Sequence, residues 1–99
     1  MFNKNFFPKG TSEDVIKKSI IDEGYNPQLV EDEPNFVYET HVHPETKLIV
    51  CLKGLMTVKV KEVEYKFEPG DKLKITGNTP HSGVVGPKGC TYFWAEKLI

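Results

Sequence analysis

Thr40-His41-Val42-His43-Pro44-Glu45-Thr46-Lys47 is the stretch whose reading decides the fold. Two histidines separated by one residue point the same way if the backbone is extended, because strand side chains alternate between faces. Residues two apart are then separated by roughly 6.5 to 7 Å. The residues leading into the pair, Phe36, Val37, Tyr38 and Thr40, are aromatic or β-branched and favour a strand, expected over 36–43. Pro44 cannot donate to a ladder and ends or turns it. His41 and His43 then make half of a chelate. The chain has one further histidine, His81, just past a corner at Thr79-Pro80.

Towards the C-terminus, Lys47 to Leu52 is apolar on both faces, which implies burial on both. Gly54 suits a tight turn into a strand over 55–60, and a second hairpin returns through 63–67 to a turn at Pro69-Gly70-Asp71. Lys72 to Thr76 alternates, so one face is wet, and Gly77-Asn78 turns again, where Asn tolerates left-handed backbone. Strands over 82–85 and 90–96, separated by Gly86-Pro87-Lys88-Gly89, finish the chain.

Towards the N-terminus, Thr11-Ser12-Glu13-Asp14 opens a helix with a hydroxyl cap and acidic residues in its first turn. Val15, Ile16 and Ile20 share an apolar face with Ile21 at its edge, and Gly24 is the stop. Residues 1–10 read as a loosely held arm, and Gln28-Leu29-Val30 as a short strand before a turn at Asp32-Glu33-Pro34-Asn35. Many short strands with regular turns mean an all-β antiparallel sandwich or barrel with one short N-terminal helix. The helix face is expected to pack on a sheet, with partner binding as the alternative. Leu48, Val50 and Leu52 need cover from that helix or from a second copy, and a homodimer is expected.

At 99 residues the chain is expected to be one domain, 1–99, with arm and helix over 1–24 and the barrel over 28–99. Its net charge of -1 and scattered lysines give no reason to expect nucleic acid or an anionic membrane as partner. A single helix leaves no room for a helix-turn-helix. No apolar run approaches the roughly 20 residues that span a bilayer, and the start does not read as a signal peptide, so a cytoplasmic protein is expected. Cys51 and Cys90 are too few for a disulfide framework and read as small core residues, with Cys51 near a metal as the minor alternative.

Three histidines offer neutral nitrogen ligands, which suit zinc, iron, copper or nickel better than magnesium or calcium. Three protein ligands leave positions open for water or a small-molecule substrate. The alternative is that the imidazoles only hydrogen-bond inside a polar cavity. Tyr38, Tyr92 and Trp94 either line that cavity or are plain core, Tyr92 and Trp94 sharing one face of the last strand.

His41-x-His43, Gly54, Gly70-Asp71 and Pro80-His81 together resemble the two motifs of the cupin family, small jelly-roll β-barrels. The first motif is His-x-His, a glutamate, then a glycine; the second is a glycine, a proline, another glycine and a final histidine. The resemblance covers residues 36–86 and implies that His41, His43 and His81 are metal ligands. Counting back from Gly54, the family's metal-binding glutamate falls on Lys47, and the second motif's inner Pro and Gly fall on Thr76 and Asn78. Lys47 thus replaces an anionic ligand with a cation, which either anchors an anionic ligand or snorkels away to Glu39 or Glu45. Glu45 is the one nearby carboxylate that could stand in as a fourth ligand. The resemblance implies a metal-dependent dioxygenase or isomerase; the alternatives are a non-catalytic module that binds or senses a small molecule, and a metal-free barrel.

Overall fold

The helix begins where Ser12 can cap it. Its hydroxyl accepts from the Val15 amide at 3.2 Å, and α1 runs Glu13–Asp22 before Gly24, at φ +89°, lets the chain leave in a direction that side chains rarely adopt. In this computed structural model, which describes residues 1–97, the remaining elements are strands: β1 (Phe2–Asn3), β2 (Tyr25–Asp32), β3 (Val37–His41), β4 (Lys47–Val60), β5 (Val63–Phe67), β6 (Lys72–Ile75) and β7 (His81–Lys97). No helix among the described residues is long and apolar enough to cross a membrane.

β4 and β7 form the spine, pairing antiparallel from Lys47↔Glu96 to Val60↔His81. The first half of β4 is flanked by β6 and then β1, and the second half of β7 by β2. Their other halves are flanked by β5 and β3. Both strands bend, with register shifts between Cys51 and Lys53 and between Gly54 and Met56, so one ladder folds into two facing sheets. Residues from both halves, Ile49 and Cys51 with Met56 and Val58, meet in one inner cluster with Phe67, Leu73, Ile75, Val85, Cys90 and Tyr92. The result is an antiparallel jelly-roll barrel with one short helix.

Gly54 is therefore a bend and not the expected hairpin turn. A Cβ there would stand 2.1 Å from the Gly89 carbonyl oxygen, so β7 crosses too closely for any side chain. Likewise Gly86 to Gly89 bend β7 without interrupting it. The real hairpin follows, where Val60 pairs with Val63 around Lys61-Glu62. β2 is also longer than Gln28-Leu29-Val30, because Pro27 is tolerated in a strand whose partner is on one side only.

The outer face of the spine is covered by the chain's own helix. Leu48 and Val50 of β4, Phe93 and Ala95 of β7 and Tyr25 of β2 pack with Ile16 and Ile20 of α1 and with Phe7. The apolar face that raised the expectation of a second copy is thus largely buried within one chain, with Leu52 partly so. The N-terminal arm is not loose. Phe2 pairs with Leu73 and stacks on Tyr65 with ring centroids 4.8 Å apart. Fully buried Asp71 accepts from the amides of Asn5 and Glu68 and from the Lys4 ammonium. Buried carboxylate and backbone donors satisfy each other there, which ties the arm to the turn before β6.

Candidate metal and ligand site

His41 and His81 stand opposite each other in the β3·β7 pair. Between that pair and Tyr38↔Gly83, β3 advances three residues while β7 advances two, a bulge that brings Tyr38 and His41 to the same wall despite their odd spacing. His43 lies beyond β3, in the connection to β4, so strand alternation is not what aims it inward. That connection is fixed instead by the Asn78 amide, which donates to the His43 carbonyl at 2.6 Å, and by Gly77, whose missing Cβ makes room for the Pro44 carbonyl.

The three imidazoles converge. Ring centroids of His41 lie 4.8 Å from His43 and 4.3 Å from His81, and His43 and His81 are 5.2 Å apart. His41 Nδ1 faces the Glu39 carbonyl at 2.6 Å and His81 Nδ1 the Thr79 carbonyl at 2.8 Å. A carbonyl can only accept, so both rings carry a proton on Nδ1, and in the neutral ring Nε2 is the free lone pair. Nε2 of His43 and of His81 is buried without a hydrogen-bond partner. Burial, more than the neighbouring positive groups, holds His43 and His81 below the ordinary imidazole range, which keeps them in the neutral form that binds metal. One atom from each of the three lies within 4.8 Å of the others. Two bonds of about 2.1 Å span at most about 4.2 Å, so a small inward shift of the rings accommodates one ion. Unsatisfied buried nitrogens, preset tautomers and neutral donors together fit a transition metal.

The site opens on a cavity of about 260 Å³. Its polar lining is the three histidines, Tyr38, Tyr92 and Ser82; Val30, Ile49, Met56, Val58, Ile75 and Trp94 make it mainly apolar, and Gly83 completes it. Trp94 packs against His43 with centroids 5.6 Å apart. Lys47 is not in this lining. Its Nζ donates to Glu96 at 2.7 Å and lies 3.5 Å from Glu45 and 5.3 Å from the Trp94 ring centre. That ammonium, first through its hydrogen bond, holds the Glu96 carboxyl below the usual carboxylate range. Glu45 is thus turned onto Lys47 and is absent from the histidine cluster. Cys51 and Cys90 are buried free thiols 3.8 Å apart in the inner core.

Asp32, Ser82 and Glu96 escaped the sequence reading. The local sequence presents Asp32 as part of a turn, yet Val30 and Asp32 continue the alternation of β2, and Glu96 faces Lys47 only through the long-range register of β7. The sequence profile of the cupin domain matches residues 28–95. The chain belongs to the cupin family. Among solved cupin folds, an RmlC-like cupin from Shewanella frigidimarina superposes with a TM-score of 0.68 at 16% identity, over 75% of this chain and 66% of that one. KdgF from Halomonas sp. gives 0.62 at 18% identity, over 72% and 68%. The cupin domain of Cnp3 from Schizosaccharomyces pombe gives 0.68 at 10% identity, over 77% and 54%. At such identities the likeness is one of fold. No curated protein sequence matches this cupin.

Proposed function

We propose that this cupin holds one divalent transition metal, zinc, iron, nickel or copper, on Nε2 of His41, His43 and His81, and takes a small, mainly apolar molecule into the adjoining cavity. The observation that carries this reading is the pair of buried, unpartnered Nε2 atoms beside His41, since such atoms otherwise go unsatisfied at a cost of about 1–3 kcal/mol each. When bound, the ion would supply Lewis-acid or redox chemistry to that molecule, as a dioxygenase or isomerase requires. The chain's own residues do the rest. Backbone carbonyls of Glu39 and Thr79 orient two of the ligands, Trp94 packs against the third, and the apolar wall excludes water from the ligand. The cavity's polar groups set the ligand's orientation.

The test is elemental analysis of the untagged protein beside His41→Ala and His81→Ala. Near-stoichiometric metal in the parent and none in either variant is expected, and the element found narrows the reaction class. A metal-free parent that takes up none of the four added ions would overturn the metal assignment. A non-catalytic binding cupin is the second reading, favoured by Lys47: a cation paired with Glu96 stands where the family motif carries an anionic ligand. Tight ligand binding without turnover, in metal-loaded protein, would select it.

A further inference from the structure

Tyr38 and Tyr92 line the cavity one pleat repeat, roughly 6.5 to 7 Å, along the strands from the histidine level. Tyr38 pairs with Gly83, two residues past His81, and Tyr92 stands two residues before Trp94, whose ring meets His43. The two phenol oxygens are 3.1 Å apart, and both lie within hydrogen-bond distance of a single atom, Asp32 Oδ2, at 2.7 Å from Tyr38 and 3.0 Å from Tyr92. Asp32 itself lies outside the cavity lining. Three contacts join three oxygens, but two phenols bring only two protons. Whether Tyr92 donates to Asp32 or to Tyr38, both protons remain inside the cluster. The phenols therefore have lone pairs and no proton to offer the cavity. Burial above all raises both phenols above the usual tyrosine range, with Asp32 adding to it, so both stay protonated at neutral pH.

We propose that Tyr38, Tyr92 and Asp32 make this end of the cavity an acceptor-only recognition site, so that its ligand is a small apolar molecule ending in an O–H or N–H donor: an alcohol, phenol or amine. This rests on the reading of the cavity as a ligand pocket and is independent of the metal. A donor placed against the phenols finds a partner, whereas a carbonyl or ether oxygen there meets only their lone pairs and is paired only if it reaches the Ser82 hydroxyl instead. The size class follows from volume. A cavity of roughly 150 Å³ suffices for benzene, so about 260 Å³ admits one substituted ring or an aliphatic equivalent. The histidine level and the phenol level then read opposite ends of one ligand.

The test compares two nearly isosteric pairs, cyclohexanol with cyclohexanone and phenol with fluorobenzene. Each is titrated by nuclear magnetic resonance shifts of Val30, Met56 and Gly83, in full-length protein as purified and after chelator treatment. Cyclohexanol and phenol are expected to bind at least about fivefold tighter than their partners, with or without metal. In Asp32→Ala the phenols bond to each other and one proton becomes free, so the preference should vanish or invert. Asp32→Asn, whose amide oxygen can accept both protons, should restore it. Tyr38→Phe, at a half-buried position, should weaken the alcohols and leave the ketone unchanged. Equal affinities in the parent, an Asp32→Ala variant that keeps the parent's preference, or no shift with any of the four probes would each overturn the proposal. Because the chelated protein is tested as well, these failures are separate from a failure of the metal assignment.

Discussion

β4 sends alternate residues into two cores that are filled in opposite ways. Leu48 and Val50 enter the outer cluster, where α1 closes over them with Ile16 and Ile20. Ile49, Met56 and Val58 enter the inner cluster, which keeps about 260 Å³ open. The residue types are the same. What differs is what stands opposite: a helix that can slide until its side chains interlock, or a second sheet held at a distance by the shared bend. The outer cluster is thus closed by packing, while the inner wall keeps room for an occupant.

The sharpest way to break this comparison is a pair of truncations at comparable burial. Leu48→Ala, fully buried in the outer cluster, should cost about 2–5 kcal/mol. Ile75→Ala, equally well buried but facing the cavity, should fall at or below the lower end of that range, because its void joins space that is already open. Guanidinium denaturation midpoints decide it, and an Ile75→Ala loss larger than that of Leu48→Ala would sink the comparison.

A smaller effect follows from the imidazoles on the hollow side. His43 and His81 are held below the ordinary imidazole range in the fold, chiefly by burial. As pH falls through the unfolded value of about 6.5, the unfolded chain binds protons that the folded one refuses, so stability drops with falling pH and this effect is absent well above that value. Metal-free protein should therefore lose stability below about pH 6.5, and His81→Asn should show a shallower loss, read from thermal melts at successive pH values. An unchanged slope would show that the imidazoles on this wall do not resist protonation.

The smallest expected change is a gain. Val58→Ile adds a methyl group to the cavity wall without leaving the β-branched class, and should stabilise by about 0.5–1 kcal/mol while weakening binding of cyclohexanol. A loss of stability would mean that the inner wall is already packed tight.

Much of this was legible in the chain. Ser12, Glu13 and Gly24 bound the helix by local chemistry, and the unbroken apolar run after Lys47 required cover on two sides. The bends were not legible, since Gly54 carries the same local signal whether a strand reverses or merely crosses another closely. The arm misled because Phe2 and Phe7 find their partners, Tyr65 and the outer cluster, only after the barrel has closed. The three histidines could be assembled from motif spacing. The phenol cluster could not, because it depends on a bulge in β3 and on an aspartate that the local sequence presents as part of a turn.

The spine also bears on how the chain folds. Along the β4·β7 ladder the separation between partners shrinks steadily, from Lys47 with Glu96, 49 residues apart, to Val60 with His81. Closing the shorter loop costs less conformational entropy, so the ladder nucleates most cheaply at its His81 end and zips towards the end that the helix covers. By loop-closure entropy, the end of the ladder that carries His81 is the cheaper to close, and the end packed under the helix is the more costly.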